Sequence, residues 1–83
     1  MVDNHLPDIY YVPLHGMASV GLVWEDSDPY RQGFRQGDVI LQINNTPIHS
    51  FRQFTTFPFI VGMTYTFTVR DKESRTKQVR LTK

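Results

Sequence analysis

Residues 64–70 read Thr-Tyr-Thr-Phe-Thr-Val-Arg, and this alternation constrains the chain more than any other stretch of it. Tyr65, Phe67 and Val69 fall on one side of an extended backbone; Thr64, Thr66 and Thr68 fall on the other. A period of two, carried by aromatic and β-branched residues, predicts a half-buried strand. Asp71-Lys72-Glu73-Ser74 supplies a polar connection, and residues 76–82 return with Val79 and Leu81 facing inward. A strand that returns through so short a turn pairs antiparallel with its predecessor. The chain is thereby committed to an antiparallel sheet at this end.

The sequence has 83 residues, enough for one domain. A domain of this size buries only about 60% of its unfolded surface, so one modest core does all the stabilising. The hydrophobic content of 40% excludes a disordered chain. No apolar run approaches the roughly 18 residues of a membrane span, which argues against direct membrane insertion. There is no cysteine, which excludes a disulfide framework, a thiol nucleophile and a cysteine-ligated zinc. The N-terminal stretch MVDNHLPDIYY has no basic region and no apolar segment of signal length. Both ends read as cut, so we expect a domain excised from a larger protein, monomeric in isolation.

Upstream, residues 1–16 are punctuated by Pro7, Pro13 and Gly16 and read as an irregular segment. Within it, Ile9-Tyr10-Tyr11-Val12 is β-prone, and Pro13 restricts it to a sheet edge. Met17 to Trp24 is a second strand. Asp28 is placed to cap a short helix that starts at Pro29 and stops before Gly33. Phe34 then folds back onto the core. Val39, Leu41 and Ile43 alternate with Asp38, Ile40 and Gln42, predicting a strand with at least one buried face. Asn44-Asn45 makes a tight turn. Ser50 and Gln53 form a capping box, and Phe51, Phe54 and Phe57 line one face of a longer helix that ends near Pro58. The fold class is α+β, mainly antiparallel β.

The residues form no recognisable catalytic constellation. There is no glycine-rich phosphate loop and no nucleophile elbow. His5, His15 and His49 have no partner at metal-ligand spacing. Glu25, Asp26 and Asp28 cluster, but without the spaced loop a calcium site needs. Asn44-Asn45-Thr46 matches a glycosylation sequon and reads here as a turn. The sequence therefore points to a non-enzymatic domain with no cofactor and no metal. Net charge is +1, against a dedicated nucleic-acid binder. Six of the nine basic residues lie in the last fourteen positions, yet no aromatic residues interleave with them as a stacking platform requires.

One run has a more specific look. Gly37-Asp38-Val39-Ile40-Leu41-Gln42-Ile43-Asn44 follows Gln32-Gly33-Phe34, which follows Val23-Trp24 and Asp28-Pro29-Tyr30, and it leads into Pro47-Ile48. From Met17 to Leu81 the chain resembles a PDZ domain of the bacterial, circularly permuted type. The resemblance implies a PDZ-like partial barrel of about five strands over residues 17–83, capped by one short and one longer helix. It implies capture of peptide or protein segments by β-augmentation, an extended segment adding to a sheet edge beside the longer helix. In permuted members the augmented strand lies near the N-terminus. The implied peptide-binding residues are Ile9, Tyr10, Tyr11 and Val12 on the edge, with Phe54 and Phe57 on the opposite wall. Where the family has a glycine-containing carboxylate loop, this chain has Leu6-Pro7-Asp8-Ile9. Pro7 lacks an N–H and Asp8 repels a carboxylate. Such domains accompany bacterial proteases, including aspartic protease-like ones, mostly outside the cytoplasm. The alternative is a degenerate domain with a structural role, docked on the parent's own catalytic domain through the apolar run Phe57-Pro58-Phe59-Ile60-Val61.

Overall fold

The computed structural model describes residues 6–83. His5 and its neighbours in positions 1–5 lie outside the described residues. In chain order the elements are β1 (Ile9–Leu14), β2 (Met17–Val23), α1 (Asp28–Gln32), β3 (Val39–Ile43), β4 (Thr46–Pro47), α2 (Phe51–Thr55), β5 (Thr64–Arg70) and β6 (Thr76–Thr82). The strands form one antiparallel sheet in the order β1-β2-β3-β5-β6, with the two-residue β4 attached to β3. The α+β, mainly β class is as expected. Among the described residues there are six strands rather than about five.

The C-terminal hairpin holds full register from Thr64↔Thr82 to Arg70↔Thr76. Tyr65, Phe67, Val69, Val79 and Leu81 all point into the core. Asp71 fixes the turn: its carboxylate accepts the backbone N–H groups of Glu73 and Arg75, each at 2.9 Å. These bonds, led by that from Arg75, hold the Asp71 carboxyl below its ordinary range.

β3 departs from the expected alternation. Its register against β5 slips between Ile40 and Gln42, leaving Leu41 as a bulge. A bulge inserts one residue and shifts the phase of the remaining strand. Ile40 and Ile43 are therefore both fully buried, and Leu41 is only half-buried. Asn44 then adopts φ 53° in the turn. Its side-chain carbonyl accepts the Thr66 N–H at 2.9 Å, so the sequon asparagine braces β5.

Both helices span five residues, so α2 is not the longer one. It stops at Thr55, capped by Thr56, because Pro58 bars a further turn. Ser50 is its N-cap and accepts the Gln53 N–H at 3.0 Å. Gln53 completes the box one residue early, accepting the His49 N–H at 2.7 Å. The N-cap of α1 is Ser27 rather than Asp28; its hydroxyl accepts the Tyr30 N–H at 3.3 Å. Asp28 sits instead in the first turn and pairs with Arg31.

Among the described residues the core is a single cluster. Phe34 and Phe67 meet edge to face at 5.4 Å between centroids, and Phe59 stacks on Phe67 at 5.9 Å. Ile40, Ile43, Val69 and Val79 complete its centre. Gly37 has φ 92°, and a Cβ there would collide with the Lys72 side chain. The residue leading into Asp38 is therefore a glycine on the ground of its backbone conformation, since the exposed Lys72 side chain could move aside.

Candidate functional site

β1 is an end strand. Among the described residues it pairs with β2 alone, from Ile9↔Val23 to Leu14↔Met17. The strand tolerates Pro13 because an edge position leaves an N–H with no ladder partner to lose. The register skips Gly21 between the Tyr10↔Leu22 and Tyr11↔Val20 pairs. Val12 packs where a side chain at Gly21 would lie, its Cγ1 only 2.9 Å from the position of a Cβ.

α2 lies beside this hairpin. The Phe51 N–H donates to the Gly16 carbonyl in the β1–β2 turn at 2.7 Å, tying the start of the helix to the hairpin tip. The seam between β1 and α2 is bridged by two rings: Tyr11 and Phe54, with centroids 4.3 Å apart. Phe54 is buried and Tyr11 half-buried. The Tyr11 hydroxyl is fully buried and has no hydrogen-bond partner among the described residues. Burial pushes this phenol far above its ordinary range. An unmade hydrogen bond on a buried hydroxyl costs about 1–3 kcal/mol.

The expected binding residues divide by face. Ile9 is in the core, and Tyr11 and Phe54 form the seam. Phe57 leaves the seam and packs on Phe59 at 4.8 Å and Tyr65 at 5.9 Å. Tyr10 and Val12 point outward, 54% and 43% exposed. Tyr10 meets Trp24 at 5.6 Å, and Leu22 lies opposite it in register. Tyr10, Val12, Leu22 and Trp24 thus make an exposed apolar face on the β1–β2 hairpin. The family resemblance assigns no role to Leu22 and Trp24; their signal is the run Val20 to Trp24, apolar apart from Gly21.

A cleft of about 520 Å³ lies elsewhere, between α1, the end of β2 and the β5–β6 turn. Four of its charged groups, Arg35, Asp38, Glu73 and Lys77, are engaged by neighbouring residues. Arg35 stacks on Tyr30 at 3.6 Å. Lys77 reaches Asp38 at 3.0 Å and the Gly33 carbonyl at 2.7 Å. Arg75 pairs with Glu73. Two of the six C-terminal basic residues are thereby engaged: Lys77 turns inward and Arg75 pairs with Glu73. A second cleft of about 270 Å³ lies beside Leu6, Asp8, Ser27 and Leu81. Among the described residues no group of three or more His, Asp or Glu is placed to hold a metal ion. No described helix is long and apolar enough to cross a membrane.

No family model matches the chain, and no curated protein matches it.

Proposed function

We propose that this chain is a non-catalytic, PDZ-like binding module that takes up an extended peptide segment along β1. The observation that carries this reading is the N-terminal end strand with an open edge, set beside α2. An extended segment on that edge gains main-chain hydrogen bonds, and its alternate side chains face α2. The strand order supports the permuted arrangement, in which the augmented strand precedes the rest of the sheet. The Gly37-Asp38 junction supports it in physical terms: Asp38 accepts the Arg35 N–H at 2.8 Å and opens β3. By analogy with the family it resembles, the module would serve a bacterial protease outside the cytoplasm.

Amide NMR on labelled protein, titrated with ten-residue peptides in free-acid and amidated forms, tests this directly. Shifts clustered on Ile9–Leu14 and Phe51–Thr55 are the expected result. Equal responses to free-acid and amidated peptides are expected too, because Pro7 and Asp8 do not suit a carboxylate. A folded sample that responds to no peptide overturns the reading.

A second reading is favoured by the exposed apolar residues: a structural domain docked on a neighbouring domain of its parent. Tyr10, Val12, Leu22 and Trp24 on one face, and Ile60, Val61 and Met63 after α2, give such a contact its apolar surface.

A further inference from the structure

We propose that Tyr11 is a built-in plug of the β1–α2 seam, and that a peptide enters only when this ring swings out. The inference rests on the peptide-capture reading above. Three features of the same residue carry it. First, its position: Tyr11 faces inward from the strand whose edge is open, so a segment added to that edge places an inward side chain directly beside it. Second, its contact: the ring lies on Phe54 at 4.3 Å, in the space such a side chain needs against α2. Third, its hydroxyl: buried and without a partner among the described residues, it gives the closed position no polar latch.

The closed position is therefore favoured only modestly, with about one molecule in ten open. Closing gains the Phe54 contact and strands the hydroxyl. Opening about χ1 loses the contact and returns the hydroxyl to water. As a residue Tyr11 is only half-buried, so opening exposes the remainder of a ring already in part solvated. Apparent affinity scales with the fraction of molecules in the open position. Tyr11 thus sets the threshold a ligand must exceed, and it favours segments whose inward side chain makes a better contact with Phe54 than the phenol does.

Two substitutions push this balance in opposite directions. Tyr11→Phe keeps the ring and removes the stranded hydroxyl, so the plug closes more firmly. Tyr11→Ala removes the plug; Tyr11→Val does the same with a side chain that favours a strand. The probes are ten-residue alanine-based peptides carrying Val, Leu or Phe at alternate positions. Tyr11→Ala or Tyr11→Val should bind them about tenfold more tightly than the parent, and Tyr11→Phe about tenfold more weakly, each tenfold being about 1.4 kcal/mol. The ring resonances of Tyr11 should move on binding in the parent protein, and Tyr11→Phe should melt at a higher temperature. Parent binding that is unchanged or weakened in folded Tyr11→Ala and Tyr11→Val overturns the plug and leaves peptide capture standing. Equal or tighter binding by Tyr11→Phe overturns the plug in the same way. No binding by the parent or by either opened variant overturns both.

Discussion

Asp38 is the most demanding residue in the molecule. Its side chain is 1% exposed, and one carboxylate oxygen accepts both the Arg35 N–H and the Lys77 ammonium, while the other oxygen has no partner among the described residues. A buried ion pair owes its worth to both partners being present, since either one alone leaves an uncompensated charge. The two partners are unequal here. Lys77 is 30% exposed and can turn to water; Asp38 cannot. Lys77→Met should therefore cost about 2–3 kcal/mol, somewhat below the range for a fully buried pair because water reaches the site. Asp38→Asn keeps an acceptor for Arg35 and should cost only about 1 kcal/mol. Urea unfolding of both variants checks the order. An Asp38→Asn loss larger than the Lys77→Met loss would refute this account. Residue-level chemistry of this kind was partly legible: Asp38 after Gly37 announces a carboxylate that accepts backbone N–H groups at a strand start. Its partner was not legible, because Lys77 lies 39 positions away and looked like one member of a solvated basic run.

Among the elements, the β5–β6 hairpin is the one whose formation the sequence dictates most fully. Period-two alternation, a polar four-residue connection and a returning strand leave few alternatives, and the observed register follows them pair for pair. The turn carries a pH signature. Asp71 is held below its ordinary value of 3.8 chiefly by the Arg75 N–H, so the folded state favours the charged carboxylate. A carboxyl depressed by folding adds stability above its unfolded pKa and loses it as pH falls through the folded value. Asp71→Asn retains a carbonyl that accepts the same two N–H groups but cannot ionise. Thermal unfolding from about pH 6 to about pH 2 should show the parent's advantage over Asp71→Asn constant at first, then shrinking below 3.8. An advantage that persists undiminished at the acid end would refute the assignment. Other elements were less legible, for physical reasons. The cap of α1 fell to Ser27 rather than Asp28 because local hydrogen bonding moved the helix start by one residue; the Ser27 hydroxyl also donates to the Trp24 carbonyl at 2.5 Å. The bulge at Leu41 reverses the face on which later β3 residues fall, and an apolar run such as Val-Ile-Leu-Gln-Ile carries no mark of where a bulge occurs. The seam was legible as two apolar surfaces, Ile9–Val12 and the α2 phenylalanines. That Tyr11 closes it onto Phe54 depends on strand orientation and tertiary approach, which no local pattern encodes.

The molecule as a whole is held by one core that ties its two ends together. Leu6 and Ile9 belong to the same buried cluster as Val79 and Leu81, so first and last described strands are coupled through side chains although they are not neighbours in the sheet. Phe67 occupies the centre: it is fully buried, touches Phe34 from one side and Phe59 from the other, and lies on the strand between β3 and β6. A chain of 83 residues has about 4–12 kcal/mol of folding stability in total. Phe67→Ala removes a ring that the two neighbouring phenylalanines cannot both move to replace, and such truncations cost about 3–5 kcal/mol. One substitution should therefore consume about a quarter or more of the total and lower the urea midpoint sharply. Because the cluster is continuous, the loss should be felt by all strands together. Tryptophan fluorescence from Trp24 on the β1–β2 side and amide exchange in β6 should report one shared transition, with an unchanged urea slope. Val61→Ser, at a 79% exposed position, should change the stability by less than about 0.5 kcal/mol and serves as the control. Two separated transitions in Phe67→Ala would mean that the β1–β2 hairpin and its α2 seam fold apart from the C-terminal strands. The seam's opening would then be a local event that the rest of the sheet does not restrain.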